Sequence, residues 1–326
     1  MASPNPLADL PGMTELRERI EKRLLAAVES DDAAMTEMAS HLVQAGGKRL
    51  RPVLAALAST SGGADVAVSD EAVTGGVACE LVHVGSLHHD DVIDEAATRH
   101  GVDSVNARWG NLRAILSGDF LLARASELAA SLGTEVAGLL AATIGRLCTG
   151  EVRELQLAYQ VDRTVADYAA AIEGKTAALY STACRIGGLV AELPRDQVDA
   201  LTDYGLHYGM AFQVVDDILD VVATDEELGK PAGHDMAEGV YNLPVLRTLS
   251  GTGAGGLRHL LGGPLSPADQ ARALALVREG DGVPESVTEA RAYVDRAVDD
   301  LRVLPPTPAS DALAAAARHL LVGLDR

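Results

Sequence analysis

The stretch AFQVVDDILDVV at residues 211–222 sets three aspartates inside an otherwise apolar run. Asp216 and Asp220 are four residues apart, so on a helix they project from one face with Asp217 beside them. The apolar residues before, between and after the aspartates favour a helix that is largely buried. The stretch therefore predicts a buried helix that carries an acidic cluster.

A second stretch, HDDVID at 89–94, repeats the same DDxxD spacing with Asp90, Asp91 and Asp94. Carboxylates within one helical turn repel one another, and apolar neighbours withdraw them from water, so such a cluster is costly without bound cations. Oxygen ligands suit Mg²⁺, which keeps several waters and commonly bridges to substrate phosphates. Aspartates on solvated faces are the alternative, but two copies in apolar runs favour metal binding.

The composition favours packed helices over a β-rich fold. Of 326 residues, 48% are hydrophobic and only 3% aromatic, and no segment shows the sustained alternation of a strand. Helical spacing recurs over 35–58, 71–97, 111–131, 135–160, 165–192, 196–222, 235–250, 267–279, 285–302 and 310–323. We predict an all-α fold of ten or more helices. One domain spans 1–326, with a motif-bearing part over 40–250, a Gly-rich loop over 251–264 and C-terminal helices over 265–326.

Charge and cysteine usage exclude several classes of function. Acidic residues outnumber basic ones by 47 to 27, a net charge of −20, whereas nucleic-acid binding needs a basic face. No apolar stretch reaches the roughly 18 residues of a transmembrane helix, and the N-terminus lacks a signal-peptide pattern. The cysteines form no CxxC pair, which fits a reducing compartment. We expect a cytoplasmic protein without a transmembrane segment or a nucleic-acid partner.

The chain has four lysines, and Lys48, Lys175 and Lys230 each directly follow a glycine. A flexible ammonium beside glycine suits a phosphate, although each lysine alone would be read as a solvated loop residue. The segment GGKRLRP around Lys48 lacks the P-loop spacing, and no predicted strand precedes it. The residues alone therefore indicate a helical, Mg²⁺-dependent enzyme that acts on one or two diphosphates.

The motifs and their order resemble the trans-isoprenyl diphosphate synthases, the polyprenyl synthetase family, over about 40–250. The matching segments are GGKRLRP (46–52), HDDVID (89–94), Thr98-Arg99, GKT (174–176), and FQVVDDILD (212–220) followed by GKP (229–231). The resemblance implies the isoprenoid synthase fold, with helices around a deep central cavity, and a homodimer. It also implies head-to-tail condensation of isopentenyl diphosphate with an allylic diphosphate.

The resemblance also assigns roles to individual residues. Asp90, Asp94 and Asp216 would bind three Mg²⁺ ions that hold the allylic diphosphate, supported by Asp91, Asp217 and Asp220. Arg99, Lys175 and Lys230 would contact the same diphosphate, while Lys48, Arg51 and His83 would hold isopentenyl diphosphate. Thr176, Gln213 and the Lys175 carbonyl would stabilise the allylic cation, and Phe212 belongs to the same motif as Gln213.

Two positions depart from the family pattern. The family usually has paired arginines after the first acidic cluster, and here the second position is His100. A further lysine often follows the GKP lysine by nine or ten residues, where this chain has Val240. A protonated His100 could replace part of the lost phosphate contact. We therefore expect these changes to affect binding of isopentenyl diphosphate. Neither change alters a metal ligand, so we expect metal binding to be unaffected.

Product length depends on residues that precede Asp90. Short-chain members carry an aromatic residue four or five positions before the first aspartate, where this chain has Ser86 and Gly85. Small residues there predict an all-trans product longer than farnesyl diphosphate. Gly85 could instead serve close helix packing, and the floor could be Leu81 or a residue of 114–131.

Three other functions remain open at this point. A terpene cyclase shares the fold and one DDxxD motif, but it typically replaces the second motif and needs no site for isopentenyl diphosphate. A non-catalytic subunit of a hetero-oligomeric prenyl synthase usually loses its aspartate motifs, whereas both are complete here. A simple divalent-cation-binding protein would not require the glycine-flanked lysines.

Overall fold

A computed structural model describes residue 7 and residues 10–63, 67–224, 232–251 and 254–324. Lys230, which the sequence assigns to diphosphate binding, lies outside the described residues.

Helices dominate the described chain, as predicted. They are α1 Met13–Ala27, α2 Ala33–Gln44, α3 Leu50–Thr60, α4 Asp70–Ile93, α5 Val105–Trp109, α6 Asn111–Ser131, α7 Thr134–Gln156, α8 Val165–Ile172, α9 Ala178–Val190, α10 Arg195–Val222, α11 His234–Ala237, α12 Leu243–Ser250, α13 Ala254–Arg258, α14 Pro267–Glu279, α15 Gly282–Asp300 and α16 Pro308–His319. A π-helical turn, Glu173–Ala177, joins α8 to α9, and a 3₁₀ turn covers Leu301–Val303. Two short antiparallel strands, β1 Thr98–Arg99 and β2 Val102–Asp103, form a hairpin.

Some predicted boundaries were wrong for local reasons. The predicted helix over 35–58 is divided between α2 and α3, because Gly46 and Arg49 adopt φ of 91° and 49°, which a right-handed helix cannot contain. The predicted helix over 235–250 is likewise divided between α11 and α12. The predicted loop over 251–264 contains the short helix α13.

Contacts within the chain define two compact units. Unit 1 comprises 1–144, 179–202 and 301–315, and unit 2 comprises 145–178, 203–300 and 316–326. The single domain over 1–326 therefore stays a prediction.

In unit 1, α4 packs against both α6 and α3. The contact with α3 depends on Gly76, because a Cβ at this position would stand 2.6 Å from the Cα of Pro52. Leu54, Ala55, Leu81 and Leu121 are among the fully buried residues of these helices. This packing fixes the C-terminal end of α4, which carries the first acidic cluster.

In unit 2, the C-terminal half of α10 is buried in an apolar cluster. Val214 and Ile218 of α10 belong to this cluster together with Met236 of α11 and Leu246 of α12. Burial of these side chains supplies most of the stabilisation that holds the helix, at about 25 cal/mol per Å² of apolar surface. The second acidic cluster therefore lies on a helix anchored by its apolar faces.

Among the described helices, none is both long enough and apolar enough to cross a lipid bilayer.

Candidate active site

Both acidic clusters occupy the last turns of their helices. Asp94 is the C-cap residue of α4, and Asp220 lies in the last turn of α10, which contains no basic residue. The C-terminus of a helix carries the negative end of its dipole, so carboxylates are unfavourable there. The position thus adds to the cost of the crowded aspartates, and bound cations would relieve it.

Within the first cluster, the three aspartates have different environments. Asp91 is fully buried, Asp90 is half-buried and Asp94 is exposed. Asp91 Oδ1 accepts from Arg99 Nε at 2.8 Å and lies 2.7 Å from an Arg99 terminal nitrogen. Asp91 therefore anchors an arginine of the predicted diphosphate site, while Asp90 and Asp94 lie closer to solvent.

A hairpin that the sequence analysis missed positions Arg99. His100 and Gly101 form its turn with φ of 52° and 79°, the two positive angles of a type I′ turn. The strands pair Thr98 with Asp103 and Arg99 with Val102. The His-Gly pair at this turn is a weak signal of a β-hairpin, because each flanking strand is only two residues long and shows no alternating pattern.

Unit 1 gathers several predicted phosphate ligands near one another. Arg51 is largely buried, and its guanidinium carbon lies 4.4 Å from the centroid of the Tyr180 ring. Burial, then the charge of Arg51 and other neighbouring cations, lowers the pKa of His83 well below its usual value. Burial and the charge of Arg99 also lower the pKa of His100. Without a bound phosphate, His100 is therefore a weaker source of positive charge near pH 7 than an arginine.

The neighbours Arg49 and Lys48 lie in different environments. Arg49 is buried and donates to Glu21 at 2.7 Å and to the Val43 carbonyl at 2.6 Å. It also lies 3.4 Å from the buried carboxylate of Glu80. Lys48 is exposed, so of these two neighbours it is the one accessible to a ligand.

Within the second cluster, Asp217 is the anchored residue. Asp217 and Asp220 are buried, whereas Asp216 is exposed. Asp217 Oδ2 accepts from the Tyr168 hydroxyl at 2.5 Å, and Oδ1 accepts from Gln213 Nε2 at 2.9 Å. Burial raises the pKa of Asp217 well above its usual value, and these two hydrogen bonds oppose that shift.

The GKT segment lies in the π-helical turn between α8 and α9. A Cβ at Gly150 of α7 would stand 2.5 Å from the Lys175 backbone nitrogen, and one at Gly174 would stand 2.8 Å from the Arg146 carbonyl. The two glycines therefore let α7 and the turn meet backbone to backbone. Isolated π-helical turns occur frequently at functional sites.

This close approach gives Lys175 two acidic partners that the sequence analysis missed. Its ammonium lies 2.7 Å from Glu151 and 2.6 Å from Glu154, both on α7. Burial lowers the pKa of Lys175, but the charges of Glu154 and Glu151 outweigh it and raise the pKa above its usual value. Lys175 is therefore charged and held in place before any diphosphate binds.

Thr176 and Gln213, predicted to act together, are in direct contact. The Thr176 hydroxyl donates to Gln213 Oε1 at 2.8 Å. Nearby, the buried Arg163 lies 5.7 Å from the centroid of the Tyr168 ring, and none of its guanidinium nitrogens has a hydrogen-bond partner among the described residues. Neither Arg163 nor Tyr168 lies in a motif, so no spacing signal identifies them.

The chain-length positions differ in their packing. Gly85 faces α6: a Cβ there would stand 3.1 Å from the Gly118 carbonyl and 3.3 Å from the Leu121 Cβ. This supports the packing role that the sequence left open for Gly85. Ser86 is half-buried and donates to the His83 carbonyl at 2.9 Å, and Leu81 is fully buried.

The donor set fits Mg²⁺ held jointly with a substrate. In unit 1 the accessible carboxylates are those of Asp90 and Asp94, in unit 2 the accessible one is that of Asp216, and each offers only oxygen atoms. Across the part of the chain that the structure describes, no three His, Cys, Asp or Glu side chains form a complete metal cage. Mg²⁺ is commonly bound through one or two carboxylates with waters and substrate phosphates, so it needs no such cage.

A sequence model of the polyprenyl synthetase family matches residues 32–276. The chain belongs to the polyprenyl synthetase family. It is 39% identical over 287 residues to heptaprenyl diphosphate synthase component 2 of Geobacillus stearothermophilus, covering 88% of this chain and 89% of the relative. It is 38% identical over 300 residues to nonaprenyl diphosphate synthase of Mycobacterium tuberculosis, covering 91% and 89%.

Solved structures of the family share the fold. The structure of a polyprenyl synthase from Caulobacter crescentus, complexed with calcium and isoprenyl diphosphate, matches with a TM-score of 0.85 at 33% identity, covering 95% of this chain and 94% of that one. The all-α isoprenoid synthase fold is thereby confirmed. As a family member, the chain is a prenyltransferase that joins isopentenyl diphosphate head to tail to an allylic diphosphate.

Proposed function

We propose that this enzyme uses Mg²⁺ to make an all-trans polyprenyl diphosphate of geranylgeranyl length or longer. One observation carries the proposal: each DDxxD motif ends a helix, and its second aspartate is anchored inward while the first lies nearer to solvent. Carboxylates at the negative end of a helix dipole favour bound cations, and cations in turn favour a diphosphate. The length assignment rests on Ser86, the small residue four positions before Asp90.

In unit 1, we assign metal binding to Asp90 and Asp94. Asp91 acts through Arg99, which it orients by its ion pair, and Arg99 binds the allylic diphosphate. Lys48, Arg51 and His83 hold isopentenyl diphosphate. Because the pKa of His83 is lowered, its imidazole would donate a hydrogen bond as a neutral group.

In unit 2, Asp216 binds metal and Asp220 supports it. Lys175 and Lys230 contact the allylic diphosphate. Lys175 is positioned by Glu151 and Glu154, whose carboxylates must share the ammonium with the arriving phosphate oxygens. We also assign the Lys175 carbonyl to stabilisation of the reacting carbon.

The chemistry follows from charge. Bound Mg²⁺ supplies electrophilic stabilisation of the diphosphate as it departs. Arg99 and Lys175 add positive charge to the same leaving group, so the allylic C–O bond can break heterolytically. The oxygens of Thr176 and Gln213 face the resulting allylic cation, which the double bond of isopentenyl diphosphate attacks. The departed diphosphate takes the proton, so this scheme assigns no side chain the role of general base.

We further propose a homodimer that forms through α6. Leu112, Ile115 and Leu116 expose an apolar surface on its N-terminal half, and Leu112 is 72% exposed. Contiguous exposed apolar surface of this kind commonly marks a protein interface. A relative is named as component 2 of a heptaprenyl diphosphate synthase, so a second, different chain is the competing partner.

The experiment that tests these assignments is a product-length assay. Purified protein is incubated with Mg²⁺, isopentenyl diphosphate and, in parallel, dimethylallyl, geranyl, farnesyl or geranylgeranyl diphosphate. We expect an Mg²⁺-dependent series of products that ends at one length beyond farnesyl. A series that stops at farnesyl would refute the length assignment, and cyclic hydrocarbons would favour a terpene cyclase. Light scattering on the same sample distinguishes a homodimer from a monomer that needs another chain.

A further inference from the structure

The second acidic cluster is linked to the proposed cation-stabilising residues by one chain of hydrogen bonds. Tyr168 donates to Asp217 Oδ2 at 2.5 Å, Gln213 Nε2 donates to Asp217 Oδ1 at 2.9 Å, and the Thr176 hydroxyl donates to Gln213 Oε1 at 2.8 Å. All four residues lie in unit 2. Tyr168 and Asp217 are buried, whereas Gln213 and Thr176 are half-buried. The series of hydrogen bonds therefore runs from the protein interior toward an accessible surface.

The donors and acceptors give this series of hydrogen bonds one direction. In the structure the Gln213 amide turns its NH₂ toward Asp217 Oδ1, which accepts, and its oxygen toward the Thr176 hydroxyl. A threonine hydroxyl has a single hydrogen, and Thr176 uses it on that amide oxygen. The lone pairs of Thr176 Oγ1 are left to face an electron-poor ligand.

We propose that Tyr168 is a positioning residue that orients Gln213 and Thr176 toward the allylic cation through Asp217. The proposal rests on the cation chemistry under "Proposed function" and adds a residue to it. Two donors hold the Asp217 carboxylate, and an aspartate χ2 torsion is otherwise broad. Without the Tyr168 hydroxyl, Asp217 can turn, and Gln213 loses the acceptor that fixes its amide.

The surroundings of Tyr168 support this role. Its ring belongs to the apolar cluster of unit 2 and is only 3% exposed. The guanidinium of Arg163 lies 5.7 Å from the ring centroid, a distance typical of cation–π contact. The hydroxyl is thus directed at Asp217 by packing on the ring, and Phe can replace Tyr with the same ring contacts.

Tyr241 provides a matched control in the same unit. It is fully buried, and its hydroxyl accepts from the Gly262 backbone nitrogen at 2.7 Å. Tyr241→Phe therefore removes one buried hydrogen bond, as Tyr168→Phe does, but it leaves the chain from Asp217 to Thr176 intact. Comparing the two variants separates positioning from general loss of stability.

Kinetics of a double-mutant cycle test the proposal. We expect Tyr168→Phe to lower kcat on the order of 10-fold, the effect of about one buried hydrogen bond, with KM for isopentenyl diphosphate unchanged. In a Thr176→Val background, Tyr168→Phe should lower kcat little further, because both substitutions disrupt the same series of hydrogen bonds. Full kcat in Tyr168→Phe, multiplicative effects in the double variant, or an equal loss of kcat in Tyr241→Phe would each overturn the proposal.

A spectroscopic readout does not depend on turnover. In protein labelled with ¹⁵N-glutamine, the side-chain amide of Gln213, assigned from its absence in Gln213→Leu, should exchange slowly with water. We expect Tyr168→Phe to accelerate this exchange and to shift the resonance, and Tyr241→Phe to leave it unchanged. An unchanged resonance in Tyr168→Phe refutes the positioning role. Failure of the unmodified enzyme to elongate any primer would refute the proposed function, while the resonance still tests the hydrogen-bond chain.

Discussion

At the residue scale, the two acidic clusters share a sequence pattern but differ in how their second aspartate is held. Asp91 forms an ion pair with Arg99, whereas Asp217 accepts hydrogen bonds from two neutral donors, Tyr168 and Gln213. Burial raises the pKa of both carboxyls. A charged partner offsets the energetic cost of burying a carboxylate more strongly than neutral donors do. We therefore expect the two motifs to respond differently to mutation of their partners.

We expect Arg99→Ala to lower the free energy of unfolding by about 2 kcal/mol. The reason is that Asp91, which is fully buried, then lacks its charged hydrogen-bond donor. Denaturant unfolding followed by circular dichroism measures the change. Arg113→Ala, an exposed arginine whose side chain bonds only weakly to Trp109 at 3.4 Å, is the control and should change stability little. Equal stabilities for both variants would contradict the anchoring of Asp91.

The cysteines should differ in reactivity. Burial raises the pKa of Cys79 to about 12 and also raises the pKa of Cys184, so neither forms a thiolate near pH 8. Cys148 is exposed on α7. We expect N-ethylmaleimide at pH 8 to modify Cys148 alone in the folded protein and all three after denaturation, as read by mass spectrometry. Modification of Cys79 or Cys184 in the folded protein would contradict this assignment.

At the scale of the elements, contact between α7 and the π-helical turn positions Lys175. Gly150 and Gly174 permit the approach that brings Glu151 and Glu154 within reach of the ammonium. The sequence identified GKT as a motif but gave no indication of α7 as its partner. The contact exists only because two glycines distant in sequence meet in space.

Glycine-to-alanine variants on α7 test this contact. Gly150→Ala would place a Cβ 2.5 Å from the Lys175 nitrogen, so the turn must move, and we expect lower stability by about 2 kcal/mol and reduced kcat. At Gly145, also on α7, nothing lies within 4 Å of a Cβ, so alanine should stabilise the helix by up to about 1 kcal/mol. Thermal unfolding and the elongation assay measure both effects. Activity retained in Gly150→Ala would show that the turn tolerates displacement.

At the scale of the whole molecule, product length should depend on Ser86 rather than Gly85. We expect Ser86→Phe to shorten the longest product, whereas Gly85→Phe, directed at the backbone of α6, should cost about 3 kcal/mol of stability. Product analysis and thermal unfolding of both variants separate these outcomes. A stable Gly85→Phe protein with shorter products would restore Gly85 as the chain-length residue.

The sequence by itself predicted the helical fold, which the structure confirms, and it also predicted metal binding by the two acidic clusters and phosphate binding by the glycine-flanked lysines. This was possible because helical periodicity and motif spacing are local properties of the chain. The glycines before Lys48 and Lys175 predicted phosphate binding, the role of Arg99 came from the resemblance to the family, and the family match supports the reaction class.

Only the tertiary structure decided which partners hold these groups. Tyr168 lies 49 residues from Asp217, and Glu154 lies 21 residues from Lys175, so no local pattern links them. The same holds for Gly85, whose contact with Gly118 depends on how α4 packs along α6. Hydrogen bonds and close packing are set by distance in space, and folding brings together residues that the sequence keeps apart.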